Sequence, residues 1–149
     1  MSIPTKENGF SIVELVVVLA LMAVITAIAL PRWTSWLPGY ALNNSTRQIQ
    51  SELHHIKMRA AAENVSFQLA YVQGSAAYTI ERDAKALTTK PLAAGTTITK
   101  EGSILFSPRG TASANRIRLR NTNGSCKQIV VSATGRVRTC TPTSCGEDC

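Results

Sequence analysis

Two sets of side chains in this sequence have the types and spacing to do chemistry, and neither is built to break bonds. The first is one carboxylate, Glu14, in an apolar run. From Phe10 to Leu30 there are 21 residues, of which only Ser11, Glu14 and Thr26 are polar. A charge there costs roughly 2.5–3.5 kcal/mol on insertion scales, so an isolated acid reads as a functional residue that needs an opposite charge as partner. The second set is cationic. Residues 109–140 hold Arg109, Arg116, Arg118, Arg120, Lys127, Arg136 and Arg138, with no Asp or Glu among them. Arginine forks suit phosphates, bidentately where the geometry allows. Such a segment points to a polyanion such as nucleic acid, or to an anionic surface, against the plainer reading of a solvated face.

Catalysis is not expected. A catalytic site brings several titratable groups together, whereas the chain beyond Glu14 has few acids. Its two histidines, His54 and His55, are neighbours that point about 100° apart on a helix. No metal-ligand spacing or phosphate-cradling glycine loop occurs, so neither a metal nor a cofactor is expected. Four cysteines, Cys126, Cys140, Cys145 and Cys149, crowd the last 24 residues without a CxxC pair. Outside the cytoplasm they would be oxidised. Two disulfides are expected, in any of three connectivities. Cys126–Cys140 with Cys145–Cys149 is favoured, because Cys126 and Cys140 fall on neighbouring predicted strands.

The elements that must position these groups follow from periodicity. The run from Phe10 to Leu30 matches the roughly 20 apolar residues that cross a bilayer, and Pro31 closes it. Pro38-Gly39 predicts a break, since both residues disfavour a helix interior. A helix resumes at Asn44 with Ser45 as its cap. Ile49, Leu53, Ile56 and Ala60 form its apolar stripe, and it ends near Ala62 with Asn64 beyond. From Val65 the period becomes two: Val65, Phe67, Leu69 and Tyr71 alternate with polar or small residues. Strands follow at Tyr78–Arg82 and Ser103–Phe106, with weak candidates around 86–87 and 96–99. Arg116–Arg120 and Cys126–Ser132 make a hairpin across Asn121-Thr122-Asn123-Gly124, and Gly135–Thr139 is a last short strand. Arg116, Arg118 and Arg120 then share an outer face while Ile117 and Leu119 point inward; Arg136 and Arg138 flank an inward Val137 in the same way. The fold class is α+β, a long N-terminal, partly transmembrane helix packed on antiparallel sheet.

The residues preceding the apolar run carry a resemblance. MSIPTKENG is polar, and its small residue, Gly9, stands before the apolar segment rather than after it, the reverse of a secretory signal peptide. Gly9, Phe10 and Glu14 resemble the class III leader of type IV prepilins and pseudopilins. That resemblance implies that a prepilin peptidase cuts between Gly9 and Phe10 and that Phe10 is methylated. It also implies that Glu14 pairs with the terminal amine of a neighbouring pilin. The chain then divides into a leader at 1–9, a transmembrane and assembly helix at 10–31, and a soluble periplasmic pilin domain at 32–149. The formal charge stays at +7 after cleavage, since Lys6 and Glu7 leave together.

The remainder resembles the GspH/FimT-type minor pilins and pseudopilins at three places: Met58-Arg59-Ala60-Ala61-Ala62 with Asn64, Phe106-Ser107-Pro108-Arg109-Gly110, and Ile129-Val130-Val131-Ser132 with Gly135-Arg136-Val137-Arg138. The last segment is similar to the G-R-x-R motif associated, in the FimT branch, with DNA binding during natural transformation. The implied DNA-binding residues are Gly135, Arg136 and Arg138, extended by Arg116, Arg118, Arg120 and Lys127. With no interleaved aromatics, the expected ligand is double-stranded DNA held by its phosphates, without sequence specificity. The implied localisation is the bacterial inner membrane and then a pilus on the cell surface. The alternative is a structural or priming subunit, FimU-like, or a GspH-like pseudopilin of type II secretion with no DNA role. Replacing Gly9 by a bulky residue is expected to leave the leader attached and block assembly, which the mass of the membrane-extracted protein would show directly.

Overall fold

The computed structural model describes residues 11–148; the proposed cut between Gly9 and Phe10, and Cys149, lie outside the described residues. The chain divides into two units, residues 1–36 and 37–149. Helix α1 (Ile12–Glu63) contributes to both.

In the first unit Ser11 caps α1, its hydroxyl oxygen accepting the Val13 N–H at 3.3 Å. Glu14 lies in the first turn, where the exposed N–H groups favour a carboxylate. The Thr26 hydroxyl donates to the Met22 carbonyl, so this polar side chain is satisfied within the helix. Ile12–Ala29 is long and apolar enough to cross a membrane, and none of it is buried in the protein.

In the second unit α1 continues through Pro38 and Gly39, where the sequence predicted a break. A proline removes one helical hydrogen bond and a glycine weakens the helix by about 1 kcal/mol; packing of the turns that follow, from the buried Leu42 onward, outweighs both. Ser45 is therefore not a cap. It sits inside the helix, fully buried, where its hydroxyl oxygen accepts the Ala93 N–H at 3.0 Å. At the other end the sequence signals hold. Asn64 has a φ of 51° and the Val65 N–H reaches back to the Ala60 carbonyl at 3.3 Å, the six-to-one bond of a left-handed helix stop.

Eight strands follow in two antiparallel sheets. One has the order β3 (Lys85–Pro91), β2 (Ala77–Arg82), β1 (Phe67–Tyr71) and β5 (Gly102–Phe106). The other has the order β4 (Thr96–Ile98), β6 (Asn115–Asn121), β7 (Cys126–Val131) and β8 (Val137–Cys140). The weak candidates at 86–87 and 96–99 are thus strands β3 and β4. Strand β3 lies at a sheet edge with almost every residue exposed, and Lys85, Lys90 and Pro91 discourage further strand pairing there.

The core lies where α1 meets the apolar faces of both sheets. Ile49, Leu53, Ile56 and Ala60 are fully buried, as the stripe predicted. They meet Phe67, Leu69, Ile104 and Phe106 of one sheet and Ile117, Leu119 and Ile129 of the other within one cluster. The Tyr71 hydroxyl donates to the Arg116 carbonyl at 3.0 Å, tying β1 to β6. Burial pushes that phenol up to about 12, so it stays a neutral donor at any physiological pH. Leu53→Ala should lower the unfolding free energy of the 37–149 unit by about 2–5 kcal/mol, the usual cost of truncating a fully buried leucine; urea denaturation followed by near-ultraviolet dichroism measures it.

Candidate polyanion-binding face

Strand pairing decides which side chains share a surface. In β6 and β7, Arg116 stands opposite Val130, Arg118 opposite Gln128 and Arg120 opposite Cys126. Between them the buried pair Ile117 and Ile129 points to the core. Strand β8 continues the pattern, with Arg138 opposite Val130 and Cys140 opposite Gln128. A row Arg116–Val130–Arg138 therefore crosses the outer face, its two arginine backbones about 10 Å apart at the usual strand spacing. Lys127 is corrected: it stands opposite Leu119, so it leaves β7 on the other face from these arginines. Sequence pattern placed it in a basic segment; register separates it from the arginine row, and it is half-buried on the other face.

Arg136 precedes β8 rather than lying in it. The alternation still holds, because Arg136 and Arg138 are exposed while Val137 packs against the core. Among the described residues neither arginine has an ion-pair partner. Gly135 holds the turn together. Its φ is 71°, and a Cβ there would come within 2.5 Å of the Gly110 carbonyl oxygen. Lys57 of α1 donates to the Gly135 carbonyl at 2.9 Å, and the Ser132 N–H donates to the Arg136 carbonyl at 3.0 Å. Glycine is thus needed for backbone conformation and close packing, and the turn carries exposed Arg136 beside the loop bearing exposed Arg109.

The C-terminal tail changes the rest of the expected stripe. Cys126 is bonded to Cys145, with Cα atoms 5.3 Å apart. The favoured Cys126–Cys140 and Cys145–Cys149 pairings are therefore overturned. The reason is register: Cys140 stands opposite Gln128, which leaves Cys126 two residues along, a diagonal of about 7–8 Å that a disulfide does not span unstrained. Cys140 is itself disulfide-bonded. Anchored by Cys145, the tail folds back over β6 and β7. The Asp148 carboxylate pairs with Arg116 and Arg118, and Gln128 donates its side-chain N–H to the Glu147 carbonyl. Hydrogen bonds from Arg116 and then Arg118 hold the Asp148 carboxyl below its ordinary value, so it is charged at neutral pH.

Five arginines are thus not equivalent. Arg120, Arg136 and Arg138 are exposed, whereas the Arg118 side chain is only 19% exposed beneath the tail. A cavity of about 450 Å³ remains around the covered pair, walled by Lys100, Asn115, Arg116, Arg118, Ser132 and Asp148. Lys57, Lys100, Gln128 and Asp148 were all missed by the sequence reading. The signal for Asp148 lay in the composition of the tail, since Glu147 and Asp148 are the only acids that follow the basic segment in the sequence.

Residues 4–30 match the prokaryotic N-terminal methylation motif, and residues 45–135 match the family described as type II transport protein GspH. The chain belongs to the GspH family. No curated protein matches it. In fold, this GspH-family chain is similar to the minor pseudopilin EpsH of the Vibrio cholerae type 2 secretion system (TM-score 0.58, 11% identity, 69% of this chain and 98% of that one). It is also similar to the type IV minor pilin FimU of Pseudomonas aeruginosa (TM-score 0.54, 15% identity, 70% and 99%). Those likenesses give it the type IV pilin-like α+β fold.

Gly135→Ala should destabilise this GspH-family domain by about 1–3 kcal/mol, through strain at positive φ and the close approach to Gly110. A urea midpoint shift with unchanged slope would confirm it.

Proposed function

We propose that this GspH-family chain is a minor pilin that enters a type IV pilus and binds extracellular double-stranded DNA, without sequence specificity, for uptake in natural transformation. The observation that carries this reading is the pair Arg136 and Arg138, exposed on one edge of the domain without acidic partners among the described residues. Two guanidinium forks held on a rigid turn and strand can each take a phosphate. Exposed Arg109 and Arg120 add positive potential nearby. Gly135 serves by shaping the turn, and Arg116 and Arg118 are secondary because Asp148 occupies them.

In this reading the prepilin peptidase cuts at Gly9–Phe10 and Phe10 is methylated. Residues 10–31 then anchor the chain in the inner membrane, with residues 32–149 in the periplasm, before assembly carries it to the cell surface. Glu14 pairs with the terminal amine of a neighbouring pilin, and the wholly exposed apolar face of Ile12–Ala29 is covered first by lipid and then by other pilin helices. Nothing in this role requires catalysis. A second reading is favoured by the family description and by the likeness to EpsH: a pseudopilin of type II secretion that uses the same helix for assembly and has no DNA role.

The two readings separate in one experiment. The full chain, purified in a non-ionic detergent, is titrated with random-sequence duplex at two salt concentrations beside Arg136→Gln/Arg138→Gln. Binding on the order of micromolar or weaker is expected. The double variant should weaken it equally for all sequences and flatten the salt slope by about two units, one for each phosphate no longer held. Unchanged affinity in the variant would assign the two arginines to contacts between pilins.

A further inference from the structure

The cavity beneath the tail has the wrong charge balance for a finished ion-pair cluster. Among the described residues two guanidinium groups share a single carboxylate, and Lys100 stands in the same wall. Arg118 Nε is buried without a hydrogen-bond partner among the described residues, as is Gln128 Oε1 beside it. Asp148 is meanwhile 56% exposed, and ion pairs so open to water are weak. We propose that the Arg116–Arg118 cavity is a second phosphate-binding site, closed in the resting chain by the Asp148 carboxylate standing in for a phosphate, and opened when a phosphate of duplex DNA displaces that carboxylate. This rests on the DNA-binding reading and extends it.

Geometry joins the two sites. Arg116, Val130 and Arg138 lie in one row across β6, β7 and β8, so a strand held at Arg138 passes over the cavity mouth. Displacement needs only the Asp148 side chain, already 56% exposed, to turn away from the cavity mouth, so the Cys126–Cys145 bond and the disulfide at Cys140 remain intact. The tethered carboxylate competes at a high effective concentration. An isolated small anion therefore displaces it poorly, whereas a polyanion already bound at Arg136 and Arg138 competes on equal terms. The tail thus acts as a threshold that favours long phosphate backbones over scattered anions.

The test titrates the full chain in detergent with random duplex, comparing wild type, Asp148→Asn and Glu147→Gln. The two substitutions change net charge equally, but only the first removes the plug. Asp148→Asn should bind about tenfold tighter with a salt slope steeper by about two units, while Glu147→Gln changes affinity less than about twofold. Adding Arg116→Gln/Arg118→Gln to Asp148→Asn should erase the gain. Equal affinity of Asp148→Asn and Glu147→Gln, or a gain that survives loss of both arginines, would overturn the proposal and leave Asp148 as a tail anchor. The underlying reading fails separately. Binding that is indifferent to Arg136 and Arg138 yet appears in Asp148→Asn and vanishes with Arg116 and Arg118 upholds this site alone. No binding by any variant overturns both.

Discussion

The second half of α1 and the two sheets depend on one shared burial. The stripe Leu42, Ile49, Leu53, Ile56 and Ala60 is removed from water by side chains from both sheets, and each sheet has an apolar inner face that needs the same cover. Fully burying side chains of this size stabilises by about 1.5–3 kcal/mol each, far more than any surface ion pair in the molecule. Polar contacts then set how the loops lie on this frame. Ser45 holds the loop at Ala93, Gln48 donates to Tyr78 and Pro91, and Lys57 holds the turn at Gly135. One helix thus positions the turn from which Arg136 projects.

Charge on the 37–149 unit is sorted rather than scattered. Glu52 pairs with Lys90, and Glu63 with Arg59 and Arg82, all on or beside the helix and the first sheet. Asp148 takes Arg116 and Arg118 on the second sheet. The exposed cations Arg109, Arg120, Arg136 and Arg138 remain without such acids among the described residues. A positive field concentrated on one region favours a polyanion more than the same charges spread evenly.

The first unit obeys a different rule. Its apolar residues have no inner side, since residues 12–29 are exposed all round. Such a surface is stable only in lipid or against other apolar helices, which agrees with the methylation motif over residues 4–30. The polar exceptions are local: Ser11 caps, Thr26 bonds its own helix, and Glu14 sits among the free N–H groups of the first turn.

Local signals in the sequence determined a good deal by themselves. The apolar stripe, the stop at Asn64, the alternation in β1 and the β6–β7 hairpin are set by period and turn chemistry within a few residues, and each stands as expected. The family motifs were legible for the same reason, being short and contiguous. Tertiary structure decided what depends on residues far apart. Packing carried α1 through Pro38 and Gly39 and buried Ser45 inside it. Register turned Lys127 away from the arginines and put Cys140 opposite Gln128 rather than Cys126. Above all, the bond between Cys126 and Cys145 brought Asp148 onto Arg116 and Arg118 from 32 and 30 positions away. A sequence read along its length showed an acid-free basic segment; only the folded chain placed an acid upon it, because ion pairs follow distance in space and not separation along the chain.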